Sequence, residues 1–187
     1  INKKLKSLLS MSYVNVISSP GFKHWLPAEN EYIISHNTAS DIFVGEGYKA
    51  GLNNKIIILT IGALRDANSN IALINFLGNN NQFLLQFSGK GSATSIIQEY
   101  VNIHKLNNVL VTGEYKKEDE SSIVSKVDMI NILLSHSMIS DYLMSNRFYL
   151  SVTHGKPMIV NSKCTQADFV KQNNLGVRID ENDNIAE

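Results

Sequence analysis

The sequence predicts an α/β fold, a Rossmann-like and mainly parallel sheet flanked by helices. Two observations predict it. From Lys55 onward, compact apolar runs of strand length alternate with segments of helical periodicity. The runs are apolar on consecutive positions, as in strands buried on both faces, so helices must cover both sides of the sheet.

The elements follow in order. "KIIILTIG" is a β-rich run, and in "NSNIALINFLGN" Ile71, Ile74 and Leu77 line one helical face. "QFLLQFSG" is the next strand. "SATSIIQEYVNIHKL" is the next helix, with Ile96, Ile97, Tyr100, Val101 and His104 on a stripe. "NNVLVTG" is followed by a polar helix around "KEDESSIVSKV" and then by "DMINILLS". In "SNRFYLSVTHGKPMIVN", Ser145 and Asn146 are N-cap types and Phe148, Tyr149 and Val152 recur at helical spacing. Gly155 and Pro157 stop that helix, and "PMIV" reads as a short buried strand. "TQADFVKQNN" and "LGVRID" add one helix and one strand, for six strands over about residues 55–180.

The first 38 residues differ. "YVNVISS" and "YIISHN" read as short buried strands around "PGFKHWLPAENE", which has room for one or two helical turns and a core Trp25. "TASDIFVGEGYKAGLNN" is rich in glycine and small polar residues and reads as a crossing between domains. The expected division is 1–38, 39–54 and 55–187, with a fragment of a longer protein as the expected whole.

Composition narrows the function classes. The 187 residues are 43% hydrophobic, enough for a proper core, and 17 basic residues balance 17 acidic ones. That balance gives no general electrostatic case for nucleic acid or an anionic membrane surface. A lone Cys164 excludes an internal disulfide framework and suits a reducing compartment, hence a cytoplasmic expectation. No apolar run approaches the about 18 residues that span a bilayer. His24, His36, His136 and His154 share no metal-ligand spacing with one another or with Cys164, so neither metal nor cofactor is expected.

In an open parallel sheet, ligands meet the carboxyl ends of strands and the N-termini of helices. The first strand is followed by Gly62 and Arg65, the second by Gly89, Lys90 and Gly91, and the third by Gly113, Glu114 and Tyr115. The stretch after the fourth leads to Asn146 and Arg147. Fixed cations, free N–H groups and glycines for close approach are what a diphosphate needs. Each residue also has a plainer role. "SGKG" lacks the P-loop ending and can be a turn with a solvated lysine. Arg65 can pair with Asp66. His104 can close a helix, and "KKEDE" can be a solvated helix start. Arg147 occupies the first helical turn, where a cation opposes the dipole. Either an anion sits between it and the helix end, or a nearby acid such as Asp141 offsets it.

The order "IGALRD … FSGKG … NVLVTGEY … DMINILLS … SNRFYLSVTHGKPMIV … ADFVKQNNLGV" resembles the C-terminal, donor-binding domain of GT-B fold glycosyltransferases of the GT4 type, which build bacterial capsular and other surface polysaccharides. The resemblance covers about residues 55–180, and "VNVISSPGFKHWLP … YIISHN" is similar to the last strands of the N-terminal, acceptor-binding domain. It implies transfer of a sugar from a UDP- or GDP-linked donor to a saccharide or lipid-linked acceptor at the inner face of the membrane, with peripheral membrane association through the rest of the N-terminal domain. Arg65 and Arg147, with Asn146 and Gly62, would bind the diphosphate, and Gly113, Glu114, Tyr115 and Leu150 would lie near the base and ribose. The family's paired glutamates correspond here to Tyr142 and Leu150. That departure keeps two other readings open, a sugar-nucleotide epimerase and a non-catalytic sugar-nucleotide-binding or partner-binding module. No catalytic residue follows from the sequence.

Overall fold

The structure is a computed structural model and describes residues 3–37 and 55–180. The expected crossing segment, 39–54, lies outside the described residues. The N-terminal part holds α1 (Lys3–Met11), β1 (Val16–Ile17), a 3-10 turn (Pro20–His24) and β2 (Ile33–Ile34). The main part runs β3 (Ile56–Ile61), α2 (Ala67–Leu77), β4 (Phe83–Ser88), α3 (Thr94–Ile103) and β5 (Val109–Gly113). It continues with α4 (Glu120–Ser125), β6 (Met129–Asn131), α5 (Asn146–Thr153), β7 (Met158–Asn161), α6 (Thr165–Asn173) and β8 (Gly176–Ile179).

Strands β3 to β8 form one six-stranded sheet in the order β5-β4-β3-β6-β7-β8, with every neighbouring pair parallel. The predicted fold class is the observed one. Side chains of a strand alternate between faces, and β3 shows it: Ile58 enters one core, Leu59 and Ile61 the other. The first core lies under α2 and α3 with Leu73, Ile74, Leu85, Phe87 and Ile97. The second lies under α4, α5 and α6 with Val124, Ile130, Phe148, Val160 and Ala167. The winding thus reverses between β3 and β6, and that reversal opens a crevice at the strand carboxyl ends.

Two helical faces are rotated from the expected ones. In α2 the buried residues are Ser69, Asn70, Leu73, Ile74 and Leu77, while Ile71 is only half-buried. In α3 Ile97 and Val101 are buried and Ile96 is exposed. His104 closes α3 at the surface, its ring 4.2 Å from that of Tyr100.

The short parallel pair β1-β2 forms a sheet of its own, in register Val16 opposite Ile33. Its residues are not buried as expected, with Val16 60% and Ile33 58% exposed, because each strand is two residues long and no described residue covers that side. The turn between them does pack. Gly21 is buried where a Cβ would strike the Tyr142 backbone and Thr165, and His24 stacks on the Tyr142 ring at 5.0 Å. Trp25 is half-buried, edge-on to Phe22, rather than in a core.

Candidate functional site

A cavity of about 630 Å³ occupies the crevice between the ends of β3 and β6. Gly62, Arg65 and Asp66, following β3, form one wall. Ser145, Asn146 and Arg147, starting α5, form another, and Tyr115, Lys117, Glu120 and Leu150 a third. Of the residues expected at a ligand, the fold therefore gathers Gly62, Arg65, Tyr115, Asn146, Arg147 and Leu150 around one space.

Five expected residues do not line it. Gly89, Lys90 and Gly91 sit behind the β3 loop, where they serve packing. A Cβ on Gly89 would strike the Gly62 carbonyl, and one on Gly91 the Leu64 carbonyl, so the two glycines let the loops after β3 and β4 touch. Lys90 points to solvent and meets Glu114 at 3.4 Å, with both side chains largely exposed. Gly113, at φ +77°, accepts a hydrogen bond from Gly89 N at 2.7 Å and ties β5 into the same arrangement.

Arg147 does not pair with Asp141, which is bonded instead to a ring nitrogen of His136 at 2.7 Å. The guanidinium reaches back across the crevice, where Nε donates to Ile61 O at 2.6 Å and Nη2 to Ala63 O at 3.0 Å. These carbonyls stand at and just past the end of β3, where the parallel ladder has run out of donors. Burial lowers the Arg147 pKa to about 10, and Tyr115 and Asp66 act in the opposite sense, so the group stays cationic at neutral pH. A guanidinium carries five N–H donors, so two bonds leave three for an anion. Ser145 caps α5 by accepting from Phe148 N at 3.2 Å, and Gln166 fixes the Ser145 hydroxyl at 2.7 Å. Arg65 is exposed, and among the described residues its guanidinium meets no partner; the alternative role, a pairing with Asp66, is not formed.

Asp66 is already occupied. It caps α2 through Ser69 N at 3.1 Å and accepts from both the backbone and the hydroxyl of Ser135 after β6, pinning the two crevice edges together. Burial alone would raise its pKa, but these hydrogen bonds outweigh it and hold the carboxyl below its ordinary value. Behind it, Asn131 donates to Thr60 Oγ1 at 2.9 Å and to Asn70 Oδ1 at 3.4 Å, a buried brace across β3, β6 and α2. On the third wall Tyr115 donates to Glu120 Oε2 at 2.7 Å, and burial with that bond pushes its pKa up. Glu120, Lys117 and the capping Asp66 are cavity residues that sequence reasoning missed. "RDANS" held the signal for Asp66, an Asp three residues before a Ser where a helix follows a strand.

No family model and no curated protein sequence matches the chain. Solved structures do match. A variant of S. aureus TarM in complex with fondaparinux, α-GlcNAc-glycerol and UDP superimposes with a TM-score of 0.72 at 15% identity, over 98% of this chain and 37% of that one. WaaG, a glycosyltransferase involved in lipopolysaccharide biosynthesis, gives 0.64 at 13% identity over 91% and 50%. The pneumococcal O-GlcNAc transferase GtfA, in complex with UDP and GlcNAc, gives 0.66 at 12% identity over 98% and 37%. The chain has the fold of part of a GT-B glycosyltransferase. It spans between a third and a half of the length of these structures.

Proposed function

We propose that this chain is the donor-binding part of a glycosyltransferase, which moves a sugar from a UDP- or GDP-linked donor to a saccharide or lipid-linked acceptor. One observation carries the reading: two guanidinium groups and the capped start of α5 face a single cavity at the point where the sheet reverses. Similarity to structures that hold UDP supports it.

The arrangement suits a diphosphate leaving group. As the bond from the sugar to phosphate breaks, negative charge grows on the departing oxygens. Arg65, the remaining donors of Arg147 and the first-turn N–H groups of α5 offset it without rearrangement. The acceptor and its activating base would come from the face opposite this cavity, so no side chain here is given that role. A place in surface polysaccharide assembly in a bacterial cytoplasm, at the inner face of the membrane, completes the proposal.

Isothermal calorimetry with UDP, GDP and the parent nucleosides is the test. Binding of a nucleoside diphosphate, at least tenfold tighter than its nucleoside, supports the reading. Equal or absent binding of both refutes it.

A further inference from the structure

The cavity wall is not built by the six-stranded part of the chain alone. Asn37, which follows β2, lines it together with Asn146, the first residue of α5. Asn37 Nδ2 donates to Asn146 Oδ1 at 3.4 Å, a contact between residues 109 positions apart in the chain. An asparagine side chain offers one acceptor oxygen and two N–H donors. With its oxygen turned to Asn37, Asn146 keeps both donors for a ligand. Donors are what an anion at a helix start requires.

The neighbouring residue anchors this contact. His36 Nδ1 lies 2.7 Å from the Tyr149 hydroxyl, one turn further along α5, and the His36 ring stands edge-on to Phe169 of α6 at 6.3 Å. The same hydroxyl donates to Ser18 O at 3.5 Å. The stretches that leave β1 and β2 therefore meet on one side chain of α5. Asn37 and Asn146 are both exposed, so neither belongs to a core and fold stability does not depend on them.

We propose that Asn37 is a positioning residue for an anion bound in this cavity, turning the Asn146 amide so that its N–H groups remain for a diphosphate. The inference rests on the donor-binding reading above, and it gives the residues that precede the six-stranded sheet a part in that site.

Calorimetry of the whole chain with UDP and with uridine tests it. Asn37→Ala should weaken UDP about three- to tenfold, the loss expected for one oriented neutral donor, and leave uridine affinity and the melting temperature unchanged. Asn146→Ala should weaken UDP at least as much. The double variant should weaken it no more than Asn146→Ala alone, because Asn37 acts only through Asn146. Asn37→Asp, which has no N–H to give and draws one from Asn146, should weaken UDP further than Asn37→Ala. UDP affinity untouched by Asn37→Ala or by Asn146→Ala, equal losses for UDP and uridine, losses that add in the double variant, or an Asn37→Asp variant no weaker than Asn37→Ala would each overturn the inference and leave the donor-binding reading standing. An unaltered chain that does not prefer UDP to uridine overturns both.

Discussion

Arg147 is the residue on which the site turns, and it does two things at once. Its Nε and Nη2 bonds hold the end of β3, and its remaining donors face the cavity. Arg147→Ala should therefore lower stability by about 1–3 kcal/mol, because two carbonyls lose their donor. It should also weaken UDP relative to uridine by about ten- to a hundredfold, measured by calorimetry beside a urea melt. Arg65 provides the contrast. It is exposed and free of partners among the described residues, so Arg65→Ala should reduce UDP affinity and leave stability within about 0.5 kcal/mol. A loss of stability without a loss of affinity at either position would make that arginine purely structural. Asp66 contributes a pH dependence. Its folded pKa is depressed, so its stabilisation is present above the unfolded carboxyl value of about 3.9 and fades as pH falls through the folded value. Asp66→Asn should flatten the acid side of the stability profile, followed by thermal melts from neutral pH downward.

At the scale of the element, the loops after β3, β4 and β5 act together. Gly62 N bonds Ser88 O at 2.9 Å, Gly89 N bonds Gly113 O at 2.7 Å, and Gly89 at φ +141° lies against Gly62. Gly89→Ala should destabilise the protein by about 1–3 kcal/mol and disturb the Gly62 loop, whereas Lys90→Ala should alter neither stability nor UDP affinity. A marked affinity loss in the lysine variant, read by calorimetry, would return "SGKG" to the ligand. These elements also show how far the sequence could be read. Strand positions were legible because continuous apolar runs such as "KIIILTIG" have few other uses. Helical faces were less so, since Ile96 and Ile97 carry the same side chain and only the direction of the sheet decides which is buried. Arg147 was legible as an oddity at a helix start. Its carbonyl partners were not, because Ile61 and Ala63 lie more than eighty residues away in the chain. Glu120 was hidden among neighbouring acids whose plain role as a helix start was already sufficient.

Across the whole molecule, one sheet with two cores builds a crevice whose two edges belong to different halves of the winding. Asp66 and Asn131 brace it from behind, and Arg147 crosses it in front. Ser19, Gly21 and His36 meet Tyr142, Thr165 and Tyr149 on the α5–α6 side, and Asn37 reaches the cavity rim beside Asn146. Because the chain spans only 37–50% of the three glycosyltransferases compared with it, we expect it to bind nucleotide yet transfer no sugar alone. Turnover by residues 1–187 in a transfer assay would contradict that division of labour. The central claim is that the cavity at the β3–β6 reversal holds a diphosphate. A crystal structure of the chain with UDP tests it most directly. Density for the two phosphates is expected between Gly62, Arg65 and the start of α5, with Arg147 in contact. Density for UDP elsewhere on the surface, with this cavity empty, would contradict it.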